Sequence, residues 1–376
     1  MSKVYVHGNN ITSSLGLNSQ ENFSMLVSNT SGIRYHNTGD IYGEIPLSKI
    51  DKDKFENRTR HEKIPDDFSF FEKTMLWSAK DSISQSNIDV SSDKTIFIIS
   101  STKGNIEFLG AEHQNQDFRL WHSARKISSY FNNPNTPVVV SNACISGVLT
   151  INTAALLLRE GVYKNAVVIG ADVISEFIIA GFMSFHSLSS NPCRPFDKNR
   201  DGLTLGEAAG SIVLSSLHKS EFEILGGASS NDANHISGPS RTGEGLYLAI
   251  ESAIKNSGIT PKHINFVSAH GTATLYNDEM EALALHRNKL EEVSTNSFKG
   301  YWGHTLGAAG VIETIATLKS MENNYMIRSL GFDENGVSRN LNILDENQKQ
   351  EINFALKTAA GFGGANAAII LKNAAL

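Results

Sequence analysis

The chain has 376 residues, 40% hydrophobic and 19% charged, enough to bury a large core as one α/β domain or two fused halves. Its 33 basic and 39 acidic residues leave a net charge of -6 with no basic block, which argues against nucleic acid as a main partner. The opening Met1–Gly8 is too short and polar for a signal peptide, and no apolar run approaches the roughly 18 residues of a membrane span, so a cytoplasmic protein without a membrane span is expected. The two cysteines, Cys144 and Cys193, are expected to be free thiols.

Short β-rich runs alternate with helical patterns, which predicts an α/β fold. In chain order the pattern gives a helix at Glu21–Asn29 and a polar surface segment at Asp40–Asp67. A helix follows at Phe71–Ser84, then strands at Thr95–Ile99 and Pro137–Val140. The stretch Gly147–Glu160 mixes Leu149, Ile151, Leu156, Leu157 and Leu158 with small residues and reads as a helix buried on most of its surface. Strands are expected at Ala166–Gly170 and Gly210–Leu214, a helix at Gly243–Asn256, a strand at Ile264–Val267 and helices at Asp278–Arg287 and Gly310–Met321. The last strand is Ala368–Leu371. Ala208–Leu214 weakly echoes Gly364–Leu371, and each ends a half of the chain. The boundary is placed near Lys219–Glu223, giving halves 1–220 and 221–376.

Cys144 stands in Ser-Asn-Ala-Cys-Ile-Ser-Gly, between a strand and an apolar helix. A small buried hydrophobe is the ordinary fate of a free cysteine. A strand-turn-helix elbow, however, exposes a nucleophile, leaves backbone N–H groups free for an oxyanion and sets the thiol at the positive end of a helix, which favours thiolate. His270 follows a strand in Ala-His-Gly-Thr, and His304 lies in Gly-His-Thr-Leu-Gly-Ala-Ala-Gly ahead of a helix. Both sit at element ends among small residues, where α/β enzymes build their sites. His36, His113 and His286 have polar surroundings and read as structural. No zinc or other metal is expected, because Cys144, His270 and His304 lack the short paired spacings of metal sites. Gly361-Phe362-Gly363-Gly364 precedes a strand; it reads as a turn needing positive φ, or as close backbone approach to a ligand with the Phe362 N–H as an oxyanion donor. Lys299 and Glu313 flank His304 and must pair if both are buried. Arg194–Gly202 is a charged, turn-rich loop whose order is more particular than a solvated loop needs.

Together, in this order, these segments resemble the β-ketoacyl-acyl carrier protein synthases of the thiolase superfamily, the elongating Cys-His-His type. The likeness runs through Gly8–Gly32, Arg125–Ser128, Asn142–Gly147, Arg194–Gly202 with Leu205–Gly210, Ser230–His235, Ala269–Thr274, Gly303–Gly310 and Gly361–Asn366. It implies a five-layer αβαβα fold from two related halves and a dimer, of two copies or with a related synthase-like subunit. It also implies a decarboxylative Claisen condensation between an acyl group on Cys144 and a malonyl group on acyl carrier protein, in fatty acid, polyketide or polyene biosynthesis. His270 and His304 would stabilise the enolate, the Cys144 and Phe362 N–H groups would bind the oxyanion, and Lys299, paired with Glu313, would support the site. Thr272 and Thr274 would line the pantetheine channel, and Arg125, Lys126 and Arg200 would meet the carrier protein. No cofactor is implied beyond the phosphopantetheine that carries the substrates. Departures are Ser101–Asn105, where a glycine-rich turn is usual, Leu275-Tyr276-Asn277 after Thr274, Ala360 in place of an aromatic, and an acidic Asp66–Lys73. A thiolase would want a second cysteine near Gly361–Asn366, which has none; a starter-unit synthase of the Cys-His-Asn kind is disfavoured by His304; a chain-length-factor-like partner would lack Cys144.

Overall fold

The computed structural model describes residues 2–39, 43–109, 118–232 and 238–375. Parts of the polar segment (40–42), His113 and the end of Ser230–His235 lie outside the described residues. Ten strands form one mixed sheet: β1 (Tyr5–Ser13), β2 (Thr95–Ser100), β3 (Val138–Val140), β4 (Asn165–Asp172), β5 (Ala208–Ser215), β6 (Phe222–Asn231), β7 (Phe266–Ser268), β8 (Thr295–Asn296), β9 (Phe354–Gly361) and β10 (Ala365–Asn373). Outward from the middle, one set runs β1-β5-β4-β2-β3 and the other β6-β10-β9-β7-β8. Both sets have the same pattern: two antiparallel pairings, then two parallel ones. They meet at the single pair Tyr5–Glu223. The echoing segments are β5 and β10, which hold equivalent places in the two sets.

Among the described residues a helix at Ser19–Val27 packs on β1, where one was expected at Glu21–Asn29, and the longer helices that follow are α1 (Phe70–Ser84), α2 (Leu120–Tyr130), α3 (Ser146–Arg159), α4 (Glu176–Ser184), α5 (Glu244–Asn256), α6 (Leu275–Arg287) and α7 (Ala309–Asn323). In β2, Ile96 and Ile98 face one core while Phe97 and Ile99 face another. That is the period-two pattern of a strand buried on both faces. The central core packs α3 and α7 between the two sets through Val148, Ile151, Val311, Ile315, Ile98 and Ile369. One outer core joins α1 and α2 to the first set, and the other joins α5 and α6 to the second. The layers are therefore helix, sheet, helix, sheet, helix.

The sequence pattern missed β1, β6, β8 and β9 and the helices α2 and α4. In β6 the pair Gly226-Gly227 interrupts the strand signal. Glycine is needed there because a Cβ on Gly227 would lie 1.8 Å from Asn152 Oδ1 of α3. The polar segment carries a strand, Glu44–Ser48, and a helix, Lys52–Thr59, pinned by buried Leu47 and Phe55. Among the described residues no helix is long and apolar enough to cross a membrane. Both cysteines are free and buried.

Candidate active site

The elbow after β3 forms as its sequence suggests. Ala143 takes a left-handed φ of 45°, a sparsely populated conformation for a residue with a Cβ. Ser146 locks it, donating from Oγ to the Ala143 carbonyl at 2.6 Å and accepting from the Asn142 N–H at 2.7 Å. Cys144 thereby sits at the start of α3, buried, with the Phe362 N–H directed at its sulfur. Burial pushes the Cys144 thiol up to about 11, while Lys299 and the Phe362 N–H pull it down. The thiolate expected from the helix end alone is thus opposed by desolvation. Gly361 allows the approach, since a Cβ there would stand 3.0 Å from the Cys144 nitrogen.

His270 leaves the end of β7. Its N–H donates to Glu281 Oε1 at 2.8 Å and to Thr358 Oγ1 at 3.1 Å, and the Gly271 N–H donates to Glu281 Oε2 at 2.7 Å. His304 follows Gly303 (φ 67°); its N–H donates to the Thr204 carbonyl at 2.6 Å. The two rings stand perpendicular, centroids 5.2 Å apart. The Cys144 sulfur and a nitrogen of each ring lie within 4.8 Å of one another. Hydrogen bonds assign the tautomers. His304 Nδ1 accepts from the Leu306 N–H at 3.3 Å, and His270 Nδ1 lies 3.3 Å from the Lys299 ammonium, which can only donate. Each neutral ring then carries its proton on Nε2, and among the described residues the buried His304 Nε2 has no partner. Burial first, and Lys299 next, hold both imidazoles well below the ordinary histidine range. Rings presenting Nε2–H offer no lone pair there to a metal, so the trio is a nucleophile facing two hydrogen-bond donors.

Lys299 and Glu313 are buried and paired at 2.7 Å, and Lys299 also donates to the His270 carbonyl at 2.6 Å. A cavity of about 480 Å³ opens on Cys144, His270 and His304 and is lined by Thr272, Thr274 and Phe362. Thr272 and Thr274 share a hydrogen bond at 2.9 Å. Their turn hangs from Asp278, which accepts from the Thr272 N–H at 2.9 Å and the Ala273 N–H at 3.1 Å. Burial pushes the Asp278 carboxyl up to about 6.

Of the three expected carrier-contact residues, the structure leaves one fully at the surface. Arg200 is buried, lies 3.8 Å from Asp278 and donates to the Asp197 and Gly336 carbonyls. The Arg194–Gly202 loop owes its particular order to this internal prop. Lys126 is spent on the buried Glu72 at 2.7 Å and covers the Phe68 ring. Arg125 is exposed. Cys193 lies away from the cavity with its sulfur 3.2 Å from the Lys299 carbonyl. Ser101, Thr102 and Lys103 wrap the buried Asp172, which also accepts from the Gly307 N–H at 2.6 Å and so ties this departing turn to the His304 loop.

Three features escaped the sequence reading. Phe182 and Phe185 line the cavity and embrace the Phe362 ring, centroids 5.6 and 5.2 Å away. The apolar run Phe177–Met183 was the signal for Phe182, and Phe185 follows it two residues on. Glu281 anchors the His270 turn. Lys357, wholly buried on β9, lies 2.5 Å from Glu313. A lysine inside the apolar run Phe354–Ala360 was a signal, since a buried cation needs a partner.

Family models of the beta-ketoacyl synthase N-terminal and C-terminal domains match residues 120–220 and 222–333. A 3-oxoacyl-[acyl-carrier-protein] synthase 2 of Rhizobium meliloti is 36% identical over 258 residues, 64% of this chain and 61% of that protein. A 3-oxoacyl-[acyl-carrier-protein] synthase homolog of Saccharomyces cerevisiae is 34% identical over 279 residues, 66% of this chain and 62% of that protein. The chain thus spans less than two thirds of the length of these curated relatives. Among solved structures, a ketosynthase in complex with its chain length factor from Xenorhabdus doucetiae superposes with a TM-score of 0.89 at 24% identity, covering 99% of this chain and 98% of that one. A beta-ketoacyl synthase from Burkholderia phymatum gives 0.89 at 21% identity, covering 99% and 100%. The fold is therefore the thiolase-like α/β fold of these synthases. With one domain model spanning Cys144 and the next, two residues on, spanning His270 and His304, the chain belongs to the beta-ketoacyl synthase family.

Proposed function

We propose that the protein is an acyltransferase that joins an acyl group to malonyl-acyl carrier protein, giving 3-oxoacyl-acyl carrier protein and CO2. The observation that carries this reading is the convergence of one buried thiol with two neutral imidazoles offering Nε2–H into the same cavity. The thiol of Cys144 attacks the carrier thioester; the new C–S bond replaces the old one, and the departing pantetheine thiol takes the proton. The Cys144 and Phe362 N–H groups face the oxyanion, where each such donor is worth roughly 2.7–4 kcal/mol. The malonyl thioester follows along Thr272 and Thr274. Loss of CO2 leaves a carbanion whose charge rests on the thioester oxygen, held by His270 and His304. That carbon attacks the acyl carbonyl, the C–C bond forms, and Cys144 leaves as thiolate and is reprotonated.

The driving force is CO2 release, so no resident cofactor is needed. Related solved assemblies pair a ketosynthase with a chain length factor, which supports an assembly with a second copy or a related subunit. The expected setting is the cytoplasm, in fatty acid or polyketide-type synthesis. Halves 1–220 and 221–376 are proposed to descend from one duplicated unit.

The test offers malonyl-carrier protein and a ladder of saturated and unsaturated acyl-carrier proteins, with mass spectrometry of Cys144 and products. Wild type should acylate and condense, Cys144→Ser should form no acyl-enzyme, and His304→Ala should lose CO2 release by about 10²-fold or more. Full condensation by Cys144→Ser would falsify the mechanism. A wild type inert with every chain length would favour a non-catalytic partner role.

A further inference from the structure

Behind the two imidazoles lies a buried charge cluster that the proposed mechanism does not use. Lys357 on β9 donates to the Ser268 and Ala269 carbonyls at 3.3 and 3.1 Å, in the two residues that lead into His270. It lies 2.5 Å from Glu313 Oε2, while Lys299 holds Oε1 at 2.7 Å. Two ammonium groups therefore share one carboxylate. The second carboxylate of the cluster is Glu281 on α6, bonded to the His270 and Gly271 N–H groups and to the Thr358 hydroxyl at 2.6 Å. With Lys357 the cluster balances two cations against two carboxylates; without it one cation would face two.

We propose that Lys357 is a positioning residue for the condensation put forward above: it balances the second buried carboxylate and so keeps His270 and His304 neutral, Nε2–H forward, as the pH falls. The proposal rests on that functional reading. Around the two rings, besides each other, stand Cys144, Lys299 and Lys357, with Glu313 behind both lysines and Glu281 on the His270 backbone N–H. On the flanking loops Asp172 is occupied by Gly307, and Asp278 by Thr272, Ala273 and Arg200. Burial is the largest influence on both rings, and Lys357 adds to it in the same direction as Lys299. Protonation would set Nδ1–H against the Leu306 N–H and the Lys299 ammonium, donor against donor, and turn the rings out of place.

The experiment compares wild type with Lys357→Gln, which keeps a donor for the two carbonyls and drops the charge, and with Lys357→Met. The readouts are 15N imidazole shifts against pH and the pH profile of malonyl-carrier protein decarboxylation. Both variants should raise the apparent pKa of the imidazoles by about one unit and move the acid limb of the profile upward by as much. Adding Glu313→Gln to Lys357→Gln removes one charge of each sign and should move the limb back. Unmoved imidazole signals, with activity lost equally at every pH, would overturn the proposal and leave Lys357 as filler. If wild type releases no CO2 at any pH, the functional reading fails, while the imidazole shifts still decide the role of Lys357. Should Lys357→Met fail to fold, Lys357→Gln and the double variant carry the comparison.

Discussion

Burial acts on His270 and His304 before any neighbour does, and this links the site to stability. Both imidazoles titrate well below the 6.5 of an unfolded histidine. Between those two values the unfolded chain binds more protons than the folded one, so stability rises with pH there and is lost as pH falls from about 6.5. The slope is about 1.4 kcal/mol per pH unit for each ring. Urea unfolding of wild type between pH 7.5 and 5 should show this loss, to which His7 and His36, also lowered by burial, add the same sign, while Asp278, raised to about 6, opposes it below that pH. The double variant His270→Gln/His304→Gln should flatten the slope by nearly two protons, and equal slopes would refute the assignment. At this scale the sequence was legible where small residues framed a reactive one, as at Cys144 and His304. It was illegible where a charge served the interior. Arg200 looked like a surface contact because its partners, Asp278 and the Gly336 carbonyl, are distant in sequence.

Cys144 stands two residues ahead of helix α3 and His304 five residues ahead of α7, so the separation of these helices bears on the site. Gly147 and Gly310, each the second residue of its helix, let the two backbones touch. A Cβ on Gly147 would stand 2.7 Å from the Val311 nitrogen, and one on Gly310 would stand 2.3 Å from the Val148 nitrogen. Neither obstacle is a side-chain tip that could swing away. Gly310→Ala should therefore force the helices apart, costing about 1–3 kcal/mol in a denaturant melt. Because Cys144 and His304 would move with their helices, malonyl decarboxylation and condensation should both fall, and unchanged rates would show that the crossing does not set the geometry. The helices themselves were readable from apolar periodicity, and so were strands rich in Val and Ile. β1 and β6 were not, because glycines and polar residues stand where helices press against the sheet. Close packing and a strand signal make opposite demands on those positions.

The two ends of the sheet differ, and the difference bears on assembly. At β8, Thr295 bonds Asn342 and Leu344, each at 2.9 Å, so that end is covered. At the other end β3 pairs with β2, and among the described residues no backbone bond reaches its outer edge. Val138–Val140 are only half-buried, although their apolar side chains continue two cores. An open apolar edge strand invites pairing with another chain. It also leads straight into the turn that presents Cys144, so pairing there would steady the elbow. The proposed second subunit is therefore expected to add its strands at β3. Native mass spectrometry should show twice the chain mass, or a one-to-one complex with a synthase-like partner. Hydrogen exchange should show the Val138–Val140 amides protected in the assembly and exposed on dilution to monomer. A monomer that acylates Cys144 and condenses at full rate would sever the link between edge and elbow. A dimer whose β3 amides exchange freely would place the interface on another face.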